Sequence, residues 1–163
     1  MKFLLTAINA KFIHSNPAIY SLRAGVGEKL QPYVELAEFT INESLESILE
    51  GIWKRQPKVI GFSCYIWNWK LIREILTELP KILPDTEIWL GGPEVTYDGP
   101  GLLSEFPQVT GIMVGEGEVT FREVLDHYVR EAESTGQSEQ QPEPDSIEQQ
   151  AADRTGTLAG KSV

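Results

Sequence analysis

Cysteine is almost absent from this sequence. Among its 163 residues, Cys64 is the single thiol, so an intramolecular disulfide is excluded. A chain with so little cysteine suits a reducing compartment, and we expect a cytoplasmic protein. Cys64 stands within an apolar run, where it is expected to pack into the interior as a small hydrophobic side chain.

Long hydrophobic runs are also missing. No stretch approaches the roughly 18 apolar residues that a membrane-spanning helix needs. The apolar run at the amino terminus, 3–8, is too short for the hydrophobic region of a signal peptide and has no clear cleavage site after it. We therefore interpret it as a first β-strand and expect no membrane partner.

Basic residues are scarce. The 14 Lys and Arg are outnumbered by 24 Asp and Glu, which gives a formal net charge of −10, and no basic cluster is longer than Lys54-Arg55. Proteins that neutralise nucleic-acid phosphates need a basic patch, so we expect no nucleic-acid partner. The G-x-G-x-x-G loop of dinucleotide-binding domains is absent after the first strand as well.

What the sequence does contain is a regular alternation of apolar runs and helical patterns. Apolar runs occupy 3–8, 33–39, 59–65, 87–92 and 111–114. Helical spacing of apolar residues follows over 17–30, from an expected N-cap at Asn42, over 71–80, and after 118. Strict alternation predicts an α/β fold: a doubly wound, flavodoxin-like (Rossmann-like) five-stranded parallel sheet of order 2-1-3-4-5, in three α/β/α layers. The acidic residues in the run at 33–39 place it at an edge of this sheet.

The composition divides the chain into a folded part and a tail. The alternating pattern covers residues 1–131, which we predict to be one domain. Residues 132–163 are polar and acidic and carry no periodic apolar stripe. Such a segment buries too little apolar surface to offset its ordering entropy, so we expect a disordered tail or linker.

Ligands of doubly wound sheets bind beyond the carboxyl ends of the strands, so the loops there supply the candidate cofactor-binding residues. They are Asn9 and His14 after strand 1, Ser63, Tyr65 and Trp67 after strand 3, Gly91, Gly92, Pro93 and Glu94 after strand 4, and Gly115, Glu116, Gly117 and Glu118 after strand 5.

Two of these loops carry a resemblance. Gly91-Gly92-Pro93 after strand 4, followed by Val114-Gly115-Glu116-Gly117-Glu118 after strand 5, resembles the paired signature of the N-terminal cobalamin (B12)-binding domain of radical SAM proteins. The loops 9–16 and 61–65 are similar to one subgroup of these proteins, and the likeness covers residues 1–131. It implies cobalamin as the cofactor, with a rim of loops under the flat corrin ring and a slot between sheet and helix for the nucleotide tail.

The resemblance also implies roles for single residues. Gly91 and Gly92 would let the tail approach the backbone closely, although a tight turn alone would also explain them. Ser63 would hydrogen-bond the tail, and Tyr65 and Trp67 would offer a flat apolar surface to the corrin. The acidic residues of the 115–118 loop are expected to cap the last helix, which is compatible with contact to the cofactor.

His14 departs from the pattern of many B12 domains, where a D-x-H-x-x-G loop supplies a histidine ligand to cobalt. Phe12, His14 and Pro17 stand where that motif has Asp, His and Gly. No carboxylate is then in place to orient the imidazole, a partner that metal-bound histidines usually have. We expect His14 to line the pocket or stabilise the loop and cobalt to have no protein ligand; ligation of cobalt by His14 is the alternative.

A radical SAM domain holds its iron–sulfur cluster through the three thiolates of a C-x-x-x-C-x-x-C loop, which one cysteine cannot supply. The resemblance therefore implies a domain that presents B12 to a radical SAM domain in cis or in trans. That radical SAM domain would hold the cluster and SAM and would perform methyl transfer or related radical chemistry.

The main alternative is a cofactor-free, flavodoxin-like regulatory or interaction module. A receiver domain or a flavin mononucleotide enzyme is poorly supported, since Asn9, Ser15 and Ser63 do not supply the acidic cluster or the phosphate loop required.

Overall fold

The computed structural model describes residues 1–11 and 15–138. Its strands are β1 (Phe3–Asn9), β2 (Val34–Thr40), β3 (Val59–Ser63), β4 (Glu87–Gly91) and β5 (Val109–Met113). Its helices are α1 (Pro17–Gly25), α2 (Leu45–Trp53), α3 (Trp69–Ile82), α4 (Gly99–Glu105) and α5 (Gly117–Ser138). Short 3₁₀ turns at Gln31–Tyr33 and Pro93–Val95 complete the order.

The five strands form one sheet in the order β2-β1-β3-β4-β5, with all neighbours parallel. The predicted fold class and strand order are confirmed, and β2 is at an edge as its acidic residues indicated. The direction in which successive strands are added to the sheet reverses between β1 and β3. The carboxyl ends of these two parallel strands lie side by side, because Ala7 is in register with Ser63.

Two apolar layers cover the sheet, and the alternation of side chains along each strand divides the core between them. Leu4 and Ile8 of β1 belong to the cluster with residues of α2 and α3, whereas Phe3 and Leu5 belong to the cluster with residues of α1 and α5. Helices α1 and α5 therefore share one face of the sheet, and this face carries the cavity described below.

Several boundaries differ from the predicted ones. Helix α1 ends at Gly25 and not at Leu30, because the chain turns at Gly27, whose φ of 79° lies in the left-handed region. Helix α2 is capped by Ser44, whose hydroxyl accepts from the backbone N–H of Ser47 at 3.2 Å, and not by Asn42.

The last helix extends past the predicted domain boundary at residue 131. Helix α5 continues to Ser138, and residues 139–163 of the predicted tail lie outside the described residues. None of the helices in the described part of the chain is long and apolar enough to cross a membrane.

Candidate functional site

A cavity of about 360 Å³ opens at the carboxyl edge of the sheet, between the sheet and the α1/α5 layer. Its volume is within the range of small-molecule sites in proteins. The cavity is lined by Leu5, Ala18, Ile19, Leu22, Gly61, Phe62, Ser63, Tyr65, Gly91, Gly92, Pro93, Thr96, Met113, Gly115, Gly117 and Glu118. It therefore has the form of a slot whose mouth is made by the loops after β3, β4 and β5.

The slot continues below the strand ends along the middle of the sheet. Leu5 and Gly61 are in register, two residues before the end of β3, which places them about 7 Å below its end. Gly61 is buried, and a Cβ there would lie 3.2 Å from the Phe3 ring and 3.3 Å from Leu5. The absence of a side chain at Gly61 thus lets Phe3 and Leu5 pack against this part of the sheet, and Gly61 itself lines the cavity.

Gly92 brings the end of β4 against the backbone after β3. Its φ is 108°, and a Cβ on it would lie 2.5 Å from the carbonyl oxygen of Cys64. The backbone N–H of Cys64 also donates to the carbonyl of Gly91 at 2.7 Å. Only glycine fits this approach, so the second glycine of the pair is required by the fold itself.

The loop before α5 forms another side of the mouth. Gly115 has a φ of 82°, and a Cβ there would meet nothing within 4 Å, so this position opens onto free space. Gly117 packs close to α1, because its Cβ would lie 3.1 Å from Leu22. Glu118 accepts a hydrogen bond from the Ser21 hydroxyl at 3.0 Å, which joins the first turn of α5 to α1.

Aromatic side chains flank the mouth on the β3 side. The rings of Tyr65 and Trp67 stack with centroids 4.4 Å apart and planes 7° from parallel. Tyr65 lines the cavity, while Trp67 lies outside it with 48% of its surface exposed. The pair offers a flat aromatic surface beside the slot.

Ser63 joins the end of β3 to the start of α1. Its hydroxyl accepts from the side-chain amide of Asn16 at 3.3 Å, and the amide oxygen of Asn16 accepts from the backbone N–H of Ala18 at 3.0 Å. Asn16 is thereby the N-cap of α1, and it fixes the helix against the strand on which the slot opens.

Besides Trp67, four candidates from the sequence do not line the slot or fall outside the described residues. Asn9 turns toward β2, where its amide donates to Glu38 at 2.8 Å. Glu94 and Glu116 are exposed and do not line the cavity. His14 falls among residues 12–14, which are outside the described residues.

The structure also adds residues that sequence reasoning left out of the site. They are Leu5, Ala18, Ile19, Leu22, Gly61, Phe62, Thr96 and Met113. The apolar members have the spacing of a buried strand or helix face, and spacing alone does not distinguish a packed side chain from one beside a gap. The glycine at 61, inside a run of large apolar residues, was the available signal.

Comparison with known proteins adds evidence of another kind. The family described as B12 binding domain matches residues 4–125 of this chain. The cobalamin-dependent radical SAM methyltransferase TokK of Streptomyces tokunonensis is 37% identical over 71 residues, which are 43% of this chain and 10% of that protein. The 2-(S-pantetheinyl)-carbapenam-3-carboxylate methyltransferase of Streptantibioticus cattleyicolor is 36% identical over 84 residues, 51% of this chain and 12% of that protein.

A solved structure shows the same fold. The cobalamin-dependent S-adenosylmethionine radical enzyme OxsB, with aqua-cobalamin and S-adenosylmethionine bound, matches with a TM-score of 0.63 at 18% identity, over 78% of this chain and 19% of that one. The chain thus spans about a tenth of the length of the curated relatives it matches.

Proposed function

Because the chain belongs to the family of B12-binding domains, we propose that the slot receives the nucleotide tail of cobalamin and that the strand-end loops support the corrin ring. The observation that carries this proposal is the cavity of about 360 Å³. It lies where a doubly wound sheet binds its ligand, with its mouth at the carboxyl ends of β3, β4 and β5.

The residues at the mouth fit such a group. A tail that runs from the corrin into the sheet has to pass close to backbone atoms, and Gly91, Gly92, Gly115 and Gly117 all line the cavity without side chains. Above the slot, the stacked rings of Tyr65 and Trp67 provide a flat surface against which the broad corrin can rest. We propose that these rings cover the lower face of the cofactor and that cobalt takes no ligand from the protein.

Polar contacts to the tail are proposed for two side chains. Ser63 lines the slot at the end of β3, and its hydroxyl retains a proton to donate while it accepts from Asn16. Glu118 lines the slot at the start of α5 and accepts from Ser21, with a second carboxylate oxygen left for a hydroxyl or amide of the cofactor.

We further propose that the domain presents cobalamin to a radical SAM domain, in cis or in trans, in the cytoplasm. Support comes from the relatives, which are named as cobalamin-dependent radical SAM and carbapenam methyltransferases and of which this chain covers 10% and 12%. Bound cobalamin would supply a cobalt centre that carries a methyl group to be transferred. The chain's own residues would hold and orient the cofactor, through the glycines of the slot and the stacked rings of Tyr65 and Trp67.

Equilibrium titration of the 163-residue protein with hydroxocobalamin, followed by visible difference spectra and tryptophan quenching, tests the proposal. We expect saturable binding, and about tenfold weaker binding for Trp67→Ala because one ring of the stacked surface is lost. Trp53→Ala is the matched control: its exposure of 50% is close to the 48% of Trp67, but it ends α2 at the opposite edge of the sheet. No spectral change with the wild-type protein, or equal losses in the two variants, would contradict the proposal.

A further inference from the structure

The walls of the slot differ in chemistry from its mouth. Below the strand ends the lining side chains are apolar: Leu5 from β1, with Ile19 and Leu22 from α1 on the opposite side. Met113 closes the slot from β5 and is 6% exposed. Among the described residues, no polar side chain lines the part of the slot below the end of β3.

The polar side chains at the mouth already have hydrogen-bond partners. The Thr96 hydroxyl donates to the carbonyl of Gly92 at 2.9 Å, and Ser63 accepts from Asn16 at 3.3 Å. Glu118 is bound by the Ser21 hydroxyl at 3.0 Å. These groups lie at the level of the strand ends and in the loops, so they face the upper part of any ligand that enters the slot.

A ligand group in the lower slot therefore makes apolar contacts and meets no side-chain hydrogen-bond donor or acceptor among the described residues. A polar edge buried there would lose its bonds to water without replacement, which is costly, whereas an apolar ring loses nothing. The lower slot therefore favours an apolar group over a polar one.

Resting on the function proposed above, we propose that this slot selects the lower base of its corrinoid: it accepts the dimethylbenzimidazole of cobalamin and discriminates against the adenine of adenine-containing cobamides. Dimethylbenzimidazole presents methyl groups and a single free ring nitrogen. Adenine carries further ring nitrogens and an exocyclic amine, which Leu5, Leu22 and Met113 cannot satisfy.

The test compares dissociation constants for cobalamin and for the adenine-containing cobamide with the same upper ligand. The measured quantity is the ratio of the two constants, taken in the wild-type protein and in Leu22→Gln, which places an amide on the wall. The strength with which each base binds its own cobalt is a property of the ligand, so it cancels when the ratios of two proteins are compared. Met113→Gln serves as a second variant in case Leu22→Gln does not fold.

We expect the adenine-to-cobalamin ratio of dissociation constants to fall about fivefold or more in Leu22→Gln and in Met113→Gln, since an amide can bond the purine edge. Leu36→Gln is the matched control, because Leu36 packs against the same apolar cluster but does not line the slot; its ratio should equal that of the wild type. A ratio that is the same in all proteins overturns the inference and leaves the proposed function intact. Failure of the wild-type protein to bind either corrinoid overturns the proposed function itself.

Discussion

The side-chain oxygen of Asn68 accepts a hydrogen bond from the backbone N–H of Tyr65 at 2.8 Å. The nitrogen of the same amide donates to the carbonyl of Ile8 at 3.0 Å and to that of Ser63 at 2.9 Å. Asn68 is fully buried, with 0% of its surface exposed. One side chain therefore ties the ends of β1 and β3 to the turn that carries Tyr65 and Trp67.

Replacing Asn68 by alanine should destabilise the domain by about 2–4 kcal/mol, because one buried and two part-buried hydrogen bonds to the backbone are lost. Urea unfolding, with the free energy extrapolated to water, measures the effect. Asn42→Ala is the control, since Asn42 is exposed and should change the free energy of unfolding by less than about 0.5 kcal/mol. A loss in Asn68→Ala no larger than that of the control would show that the amide does not hold these strand ends together.

Gly92 and Gly115 both have positive φ, but their surroundings differ. Alanine at Gly115 meets open space, so it should cost only the backbone strain of about 1–2 kcal/mol. Alanine at Gly92 adds a clash with the Cys64 carbonyl, which a Cβ would approach to 2.5 Å, and should cost about 3 kcal/mol or more.

The two alanine variants are compared by thermal unfolding in the same buffer. Gly92→Ala should have clearly the lower melting temperature, since it carries the strain and the clash together. Equal melting temperatures would mean that the backbone after β3 moves aside, and that the approach of β4 to β3 is not rigid.

Much of the fold could be predicted from periodicity, because parallel strands buried on both faces leave continuous apolar runs such as Val59 to Phe62. The glycine loops at 91–92 and 115–117 could be assigned to the site because they follow strands directly. A turn at a strand end lies at the ligand-binding edge whatever the details of packing.

The lateral contacts of the site could not be predicted in the same way. The amide of Asn9 donates to Glu38 across the β1–β2 pair, and these residues are 29 positions apart in the sequence. Their contact could be predicted only if the strand order and the register of the two strands were known. Leu22 lies on a helix face whose spacing is that of a core position, and only the packing of α1 over the sheet shows that it borders a slot. Asn68 follows the third apolar run in the sequence, but its three hydrogen bonds join segments up to 60 positions apart and depend on the tertiary fold.

Burial raises the pKa of the Cys64 thiol from 9.0 to about 12, mainly because desolvation disfavours the thiolate. The unfolded thiol ionises near pH 9 while the folded one stays protonated. The stability gained from the buried neutral thiol is therefore complete below pH 9 and is lost as the pH rises toward 12. Above pH 9 this single group should lower the free energy of unfolding by up to about 1.4 kcal/mol per pH unit.

Urea unfolding between pH 8 and pH 10 checks this expectation, because tyrosines with a reference pKa of 10.0 contribute less there. Cys64→Ala removes the group, so its stability should decline less steeply above pH 9 than that of the wild type. If the free energy of unfolding declines equally with pH in the two proteins, groups other than Cys64 cause the loss of stability at alkaline pH.

Thr6 lies in the middle of β1 with 0% of its surface exposed, and its hydroxyl has no hydrogen-bond partner among the described residues. Valine has nearly the same shape without the hydroxyl, so Thr6→Val removes an unpaired buried polar group and keeps the packing. We expect a gain of about 1–2 kcal/mol in the free energy of unfolding. Thr110→Val is the control. The exposed Thr110 hydroxyl accepts a hydrogen bond from the backbone N–H of Ile88 at 3.3 Å, so its removal should not raise the free energy of unfolding. Urea unfolding of both variants distinguishes the cases, and a Thr6→Val protein less stable than the wild type would show that the hydroxyl is satisfied in solution.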